Sequence, residues 1–126
     1  MGPGLTAAVA DSNIIVDALN GHGSAFETID GLAECAISRV TWIEVLAGCR
    51  TPAEDTVARQ LLSTLTVIEV TPQIAEHAVA LRREFRLKLP DALILATARD
   101  RDVPLVTRNT RDFPADDPTI RVPYRL

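Results

Sequence analysis

Short apolar stretches that favour β-strands alternate with longer helical patterns along this chain of 126 residues. The alternation predicts strands at residues 5–10, 35–38, 66–70, 104–107 and 119–122. It predicts helices at residues 12–19, 25–34, 40–49, 53–65, 73–87 and 90–101. Strands that are separated by helices pair in parallel, and right-handed crossovers place the helices over the faces of the sheet. We therefore expect one α/β domain over residues 1–126, built around a central, mainly parallel sheet.

Apolar residues three or four positions apart mark the side of a helix that faces the core. On this basis we expect the second, third and fourth helices to point these residues inward: Phe26, Ile29, Val40, Ile43, Leu46, Ala47, Val57, Leu61, Leu62 and Leu65. Glu44 then borders the buried side of the third helix. The pair Thr71-Pro72 predicts an N-cap and a first helical position for the fifth helix.

The overall charge argues against a generic nucleic-acid-binding surface. The chain has 13 Lys and Arg against 17 Asp and Glu, a formal net charge of −4, whereas nucleic-acid-binding domains are usually basic. No apolar run approaches the roughly 20 residues of a membrane span, and no secretory signal precedes the first strand. We expect a cytoplasmic protein with Cys35 and Cys49 as reduced thiols. Residues 1–4 are either a cloning remnant or a flexible native start.

Four acidic residues lie where the predicted elements begin or end. Asp11 follows the first strand, Glu44 lies about two turns into the helix after the second strand, and Asp91 opens the sixth helix. Asp112 follows the fourth strand by a few residues. Taken singly, Asp11 fits an N-cap, Asp91 a first helical turn and Asp112 a turn in a loop. Because ligands bind beyond the carboxyl ends of parallel strands, all four can also reach one edge of the sheet.

Convergence of these carboxylates predicts a divalent cation. Two carboxylates about 4 Å apart repel each other by roughly 4 kcal/mol at an effective dielectric constant of 20. Ligands that are all oxygen atoms select hard ions such as Mg²⁺ or Mn²⁺. Zinc is not expected because the two histidines, His22 and His77, lack the spacing of zinc ligands.

Four motifs follow one another along nearly the whole chain. They are DSN at 11–13, S-x-x-T-x-x-E-V-L-x-G at 38–48, LPDALI-x-ATA at 89–98 and LVTRN-x-x-DF at 105–113. In this order they resemble the PIN-domain family, and within it the VapC-type toxins of bacterial toxin–antitoxin pairs. The resemblance implies a PIN-like, ribonuclease-H-like α/β/α sandwich. It also implies an endoribonuclease that depends on Mg²⁺ or Mn²⁺ and hydrolyses RNA phosphodiester bonds with a metal-activated water.

The resemblance assigns roles to individual residues. Asp11, Glu44 and Asp91 match the three invariant acidic ligands of the family. Asp112 matches the fourth acid of those relatives that carry an Asn-x-x-Asp form. Asn109 stands where many relatives have an aspartate, so it is either a neutral ligand or a hydrogen-bond partner, and the number of metal ions stays open.

Residues beside the four acids are expected to support the site. Asn13 is expected to tie the first loop through side-chain hydrogen bonds. Thr107 is expected to end its strand rather than contribute its hydroxyl group. Arg108 and Arg111 are candidates for holding RNA phosphates next to the metal, or are solvated charges of the loop.

The partners are likewise implied by the resemblance: an RNA substrate, a cognate antitoxin, and a homodimer that joins a toxin–antitoxin hetero-oligomer. An inhibitor of an acidic site needs a cation, so we expect the antitoxin to insert an Arg, or a Lys, among Asp11, Glu44 and Asp91. Its apolar flank should pack on the helices at 12–19 and 40–49. One alternative is an RNA-processing PIN nuclease without an antitoxin. The other is a catalytically inactive PIN binding module, and the presence of all four acids argues against this second alternative.

Overall fold

The computed structural model describes residues 6–113 and 116–126, which form a five-stranded sheet with helices on both faces. In chain order the elements are β1 (Ala7–Ala10), α1 (Ser12–Leu19), α2 (Gly23–Asp30), β2 (Glu34–Ser38), α3 (Arg39–Ala47), α4 (Pro52–Leu62), β3 (Thr66–Ile68), α5 (Pro72–Phe85), α6 (Leu89–Asp100), β4 (Leu105–Val106) and β5 (Ile120–Arg121). The paired strands run parallel, which confirms the predicted α/β sandwich. Residue 5 of the predicted first strand and residues 1–4 lie outside the described residues.

The strand order β3-β2-β1-β4-β5 places β1 at the centre of the sheet. β1 pairs with β2 on one side and with β4 on the other, and its residues Val9 and Ala10 are buried. The chain runs outward from β1 through β2 and β3 and later returns to β4 on the opposite side. In open α/β sheets such a reversal opens a crevice beyond the carboxyl ends of the strands, where ligands bind. Asp11 directly follows β1 at this crevice.

Two apolar cores hold the helices against the sheet. One core lies under α5 and α6 and includes Ile74 and Ile94. The other lies under α1, α3 and α4 and includes Ile14, Val45 and Leu62. Six residues of α6 are buried because this helix packs against α5, α3 and the central strands at once. The tight packing of α6 fixes the position of its first turn at the edge of the sheet.

Side-chain caps start α1, α3 and α5. Asp11 caps α1 by accepting a hydrogen bond from the amide of Ser12, and Ser38 caps α3 through the amide of Val40. The hydroxyl group of Thr71 accepts from the amide of Ile74 at 3.1 Å, which confirms the predicted cap of α5. None of the helices in the described part of the chain is long and apolar enough to cross a membrane.

The predicted inward sides of three helices were partly wrong. Phe26, Ile43 and Val57 are 44%, 53% and 53% exposed. The buried residues of α2, α3 and α4 are Ala25, Thr41, Val45, Ala58 and Leu62, of which the prediction included only Leu62. Apolar residues occur on several sides of these helices, so their spacing did not fix which side meets the sheet. Small residues took positions of close packing because they allow neighbouring elements to approach.

Cys35 and Cys49 are free thiols, which confirms the expectation of an unbridged pair. Burial raises the pKa of the Cys35 thiol to about 11. A thiol with such a pKa stays protonated at neutral pH and behaves as a small apolar residue rather than as a nucleophile. The Cys49 thiol lies 3.5 Å from the carbonyl of Val45, one turn earlier in the chain.

The orientation of α4 can be tested on two apolar residues of this helix. Leu62→Ala removes a buried side chain and should lower the free energy of unfolding by about 2–5 kcal/mol. Val57→Ala should change it by no more than about 0.5 kcal/mol, because this side chain is half exposed. Urea unfolding followed by circular dichroism measures both values. Equal losses in the two variants would show that α4 presents a different side to the sheet.

Candidate metal centre

The four acidic residues border the crevice between β1 and β4. Asp11 follows β1, Glu44 lies in α3, Asp91 lies in the first turn of α6 and Asp112 follows β4. Burial is the largest cause that raises the pKa values of Asp91 and Asp11; the charges of the other three acids add to the rise at Asp91, and those of Glu44 and Asp112 add to the rise at Asp11. The fold thus brings carboxylates from four separate segments into one electrostatic neighbourhood.

Asp11 is the most deeply placed of the four, with only 4% of its surface exposed. Its carboxylate accepts hydrogen bonds from the Ser12 amide at 2.8 Å, the Thr107 hydroxyl at 2.7 Å and the Asn13 amide group at 3.3 Å. Burial raises the pKa of Asp11, and the hydrogen bonds from Thr107 and Ser12 oppose that rise. These donors fix the carboxylate in place without supplying a positive charge.

Glu44 is exposed on α3, with Thr41 and Val45 forming the buried side of that helix. Its carboxylate accepts a hydrogen bond from the hydroxyl group of Ser12 at 2.6 Å. The same hydroxyl group lies 3.1 Å from that of Thr41. Ser12 therefore links the start of α1 to α3 and holds Glu44 toward Asp11.

Asp91 is half-buried in the first turn of α6. Burial is the largest cause that raises its pKa to about 6, and the charges of Asp11, Asp112 and Glu44 add to the rise. Lys88, three residues earlier, opposes it. A carboxyl group with a pKa this close to neutrality marks a site where negative charge is concentrated.

The loop after β4 is organised by Asn109. Its side-chain oxygen accepts hydrogen bonds from the amides of Arg111 and Asp112, at 3.1 and 3.2 Å. Its side-chain nitrogen donates to the Asp112 carboxylate at 2.9 Å. These contacts show that Asn109 orients Asp112, and a role of Asn109 as a neutral metal ligand stays a prediction.

Asn13 and Thr107 connect this loop to Asp11. Asn13 donates to the Asp11 carboxylate and to the Thr107 hydroxyl, and accepts from the Arg108 amide at 3.2 Å. This confirms its predicted structural role. The expectation that Thr107 would not contribute its hydroxyl group was wrong, because this group donates a hydrogen bond to the Asp11 carboxylate.

Asp17 is a buried carboxylate that sequence reasoning missed. Arg108 donates two hydrogen bonds to it, at 2.7 and 2.9 Å, and the Tyr124 hydroxyl donates one at 2.6 Å. Burial alone would raise the pKa of Asp17, but these hydrogen bonds outweigh it and hold the pKa below its ordinary value. The helical spacing from Ile14 gave a signal, since Asp17 lies three residues later on the buried side of α1.

This ion pair changes the interpretation of the two candidate RNA-binding arginines. The guanidinium of Arg108 is bound to Asp17 at both Nε and Nη2. Arg111 is exposed in the same loop. Arg108 thus has a structural role that the sequence did not predict, and Arg111 is the better candidate for contacting RNA.

The donor set suits a hard cation that retains much of its water. Among the residues that the structure describes, no three Asp, Glu, His or Cys side chains are close enough to chelate a metal ion as they stand. Mg²⁺ does not require such a closed set, because it is commonly held by one or two carboxylates and several waters. Every candidate ligand here is a carboxylate oxygen, and burial together with the neighbouring carboxylates raises the pKa values of Asp11 and Asp91. The chemistry of these residues fits Mg²⁺ or Mn²⁺ better than a soft metal.

Comparison with known proteins gives a consistent result. A family model described as the PIN domain matches residues 8–115. Ribonuclease VapC19 of Mycobacterium tuberculosis is 34% identical over 123 residues, which cover 90% of this chain and 97% of that protein.

Solved structures are similar over nearly the full chain. A chain in a toxin–antitoxin complex from Klebsiella pneumoniae is 42% identical with a TM-score of 0.86, covering 94% of this chain and 99% of that one. A chain of FitAcB from Neisseria gonorrhoeae is 19% identical with a TM-score of 0.76, covering 92% of this chain and 97% of that one. At that identity the second likeness concerns the fold alone.

The raised pKa of Asp91 predicts how stability depends on pH in the presence of a chelator. Between pH of about 4 and 6 the folded state keeps a proton that the unfolded state releases, so stability falls as pH rises through this range. Asp91→Asn should remove part of this fall and raise the melting temperature at pH 7. Thermal melts in EDTA across this range provide the measurement. Asp100→Asn, at the exposed far end of α6, is the control, and an identical pH dependence in both variants would contradict the assignment.

Proposed function

This chain belongs to the PIN-domain family, and we propose that it is a metal-dependent endoribonuclease toxin that a cognate antitoxin holds inactive. The observation that carries this proposal is the set of four mutually repelling carboxylates at the crevice beyond β1 and β4. Similarity to Ribonuclease VapC19 and to a chain of the Klebsiella pneumoniae toxin–antitoxin complex supports it. We propose further that residues 1–126 act as a single domain.

Asp11, Glu44, Asp91 and Asp112 are the proposed ligands of Mg²⁺ or Mn²⁺. When bound, the cation supplies a water of lowered pKa and neutralises negative charge on the RNA phosphate. The protein contributes by orienting the carboxylates. Hydrogen bonds from Ser12 and Thr107 favour the charged form of Asp11, and Asn109 holds Asp112 toward the site. Asp91 must lose its proton as the cation binds, so metal affinity should rise with pH.

The antitoxin-binding surface is proposed to be the groove between α1, α3 and α4. This groove has a volume of about 760 Å³, and Val16, Leu19, Val45 and Val57 line it. Glu44 also lines it, so the groove opens directly onto the acidic crevice. An apolar segment of the antitoxin that lies in the groove could extend an Arg to Asp11, Glu44 and Asp91. A guanidinium suits that position because it binds carboxylates through two hydrogen bonds.

The groove exposes apolar side chains of α1 and α4. Val16 and Val57 are substantially exposed, although apolar residues of this size usually lie in the core. Exposed apolar surface rimmed by polar groups is typical of a protein interaction site.

We propose that the active assembly is a homodimer and that antitoxin binding converts it into a hetero-oligomer.

Removing one proposed ligand tests the nuclease activity. Asp91→Asn should lower RNA cleavage in Mg²⁺ or Mn²⁺ by at least about 100-fold, because it removes a charge that binds the cation. Cleavage of a fluorophore-quencher RNA measures this, and EDTA should abolish the wild-type activity. Asp100→Asn makes the same substitution at the exposed end of the same helix and should keep full activity. Metal-dependent cleavage that persists unchanged in Asp91→Asn would rule out the site.

Inhibition can be tested with the product of the neighbouring reading frame. Replacing the inserted Arg of the antitoxin by Ala should weaken binding by at least about 30-fold, because it leaves buried carboxylates unpaired. Val57→Glu in the groove should also weaken binding, whereas Val70→Glu, an exposed valine outside the groove, should not. Isothermal titration calorimetry provides the affinities. Inhibition that survives loss of every basic residue in the antitoxin's C-terminal tail would exclude this mode.

A further inference from the structure

A cluster of basic residues immediately precedes α6 in the chain. Four of the 13 basic residues of the chain fall within residues 82–88, namely Arg82, Arg83, Arg86 and Lys88. All four are exposed. A groove of about 520 Å³ lies at the turn between α5 and α6, and its lining residues are Val79, Arg82, Arg83, Arg86 and Leu89. We call this the α5–α6 groove.

The turn that carries these arginines is held in a defined shape. Arg82 donates a hydrogen bond to the Leu87 carbonyl at 2.5 Å, and Leu87 itself is buried. Arg86 ends α5 with φ of 56°, a left-handed conformation that usually favours glycine. The groove therefore presents its guanidinium groups from a fixed backbone.

The groove and the acidic crevice both include residues of the first turn of α6. Leu89 lines the groove, and Asp91 lies two residues later in the same turn. Lys88, which follows the arginines in the chain, acts electrostatically on Asp91. A ligand that spans the first turn of α6 would contact both. The acidic residues Glu76 and Glu84 of α5 are not among the residues that line the groove.

We propose that the α5–α6 groove binds the RNA strand beside the phosphate that is cleaved. This inference rests on the proposed function and adds the path of the substrate. A chain with a net charge of −4 and an acidic site repels RNA, so its affinity must come from local clusters of cations. Arg83 and Arg86 provide guanidinium groups that match phosphate oxygens, and the exposed side chains of Val79 and Leu89 offer an apolar surface to bases.

The experiment measures RNA affinity and its salt dependence. Fluorescence anisotropy gives the Kd of a short fluorescein-labelled single-stranded RNA of mixed sequence, bound to the full chain with Asp91→Asn so that the RNA stays intact. Adding Arg83→Gln and Arg86→Gln should raise Kd at least about tenfold. It should also reduce the slope of log K against log salt by about 1.4, since each single-strand phosphate contact contributes about 0.7. Arg82 is left unchanged because it holds the turn.

The matched control removes the same charge elsewhere. Arg101→Gln with Arg125→Gln changes two exposed arginines that do not line the groove, and should leave the slope unchanged and Kd within about threefold. Equal effects in the two double variants would overturn the proposal. So would a change from dimer to monomer on light scattering with unaltered RNA affinity, which would make the groove a contact between copies of the chain.

The outcome for the groove is separable from the outcome for the nuclease. If wild-type protein cuts RNA in Mg²⁺ and the Arg83/Arg86 variant keeps an unchanged salt slope, RNA binding at the α5–α6 groove is contradicted and the proposed nuclease function is not. If the slope falls as expected but wild-type protein does not cleave RNA in Mg²⁺ or Mn²⁺, RNA binding at the α5–α6 groove is supported and the proposed nuclease function is contradicted. A wild-type chain that neither binds nor cuts RNA overturns both.

Discussion

The buried carboxylate of Asp11 is the constraint on which the geometry of the crevice depends. A buried charge is costly unless hydrogen bonds or an opposite charge compensate for it. Its donors come from two places, the start of α1 and the end of β4, so the charge is satisfied only when β1, α1 and β4 adopt their observed arrangement. The backbone amide of Asp11 also donates to the carbonyl of Val106 in β4. One residue thus caps a helix, ties two strands and presents a negative charge to the crevice.

Asp11, which caps α1, and Asp17, which lies within α1, are both deeply buried, but their electrostatic surroundings are opposite. Asp17 faces Arg108 and Tyr124, and its pKa is lowered, as in a structural ion pair. Asp11 has hydrogen bonds from neutral groups and other carboxylates nearby, and its pKa is raised. A carboxylate that the fold leaves without a cation is a candidate for binding one, whereas a carboxylate paired with arginine is already satisfied. Asp17 nevertheless serves the crevice, because Arg108 belongs to the loop that carries Asp112.

Three surface regions of different chemical character lie around the first turns of α1 and α6. An apolar groove lies between α1, α3 and α4, the carboxylates lie at the crevice, and a basic groove lies at the turn between α5 and α6. Glu44 lines the apolar groove, and Leu89 of the basic groove lies two residues before Asp91. Under the proposals made above, a protein inhibitor and an RNA strand would approach the carboxylates from different grooves. The arrangement leaves apolar surface exposed and concentrates unpaired negative charge at the crevice.

The sequence by itself determined the order of the elements, the parallel sheet and the caps at Asp11 and Thr71, because alternation and capping are local patterns. It also singled out Asp11, Glu44, Asp91 and Asp112, whose role as metal ligands stays a prediction. Only the tertiary structure decided that Thr41 and Ala58, rather than Ile43 and Val57, face inward. It alone paired Arg108 with Asp17, 91 residues apart in the chain. These features depend on which distant surfaces meet, and the spacing of residues within one helix carries no information about its partner.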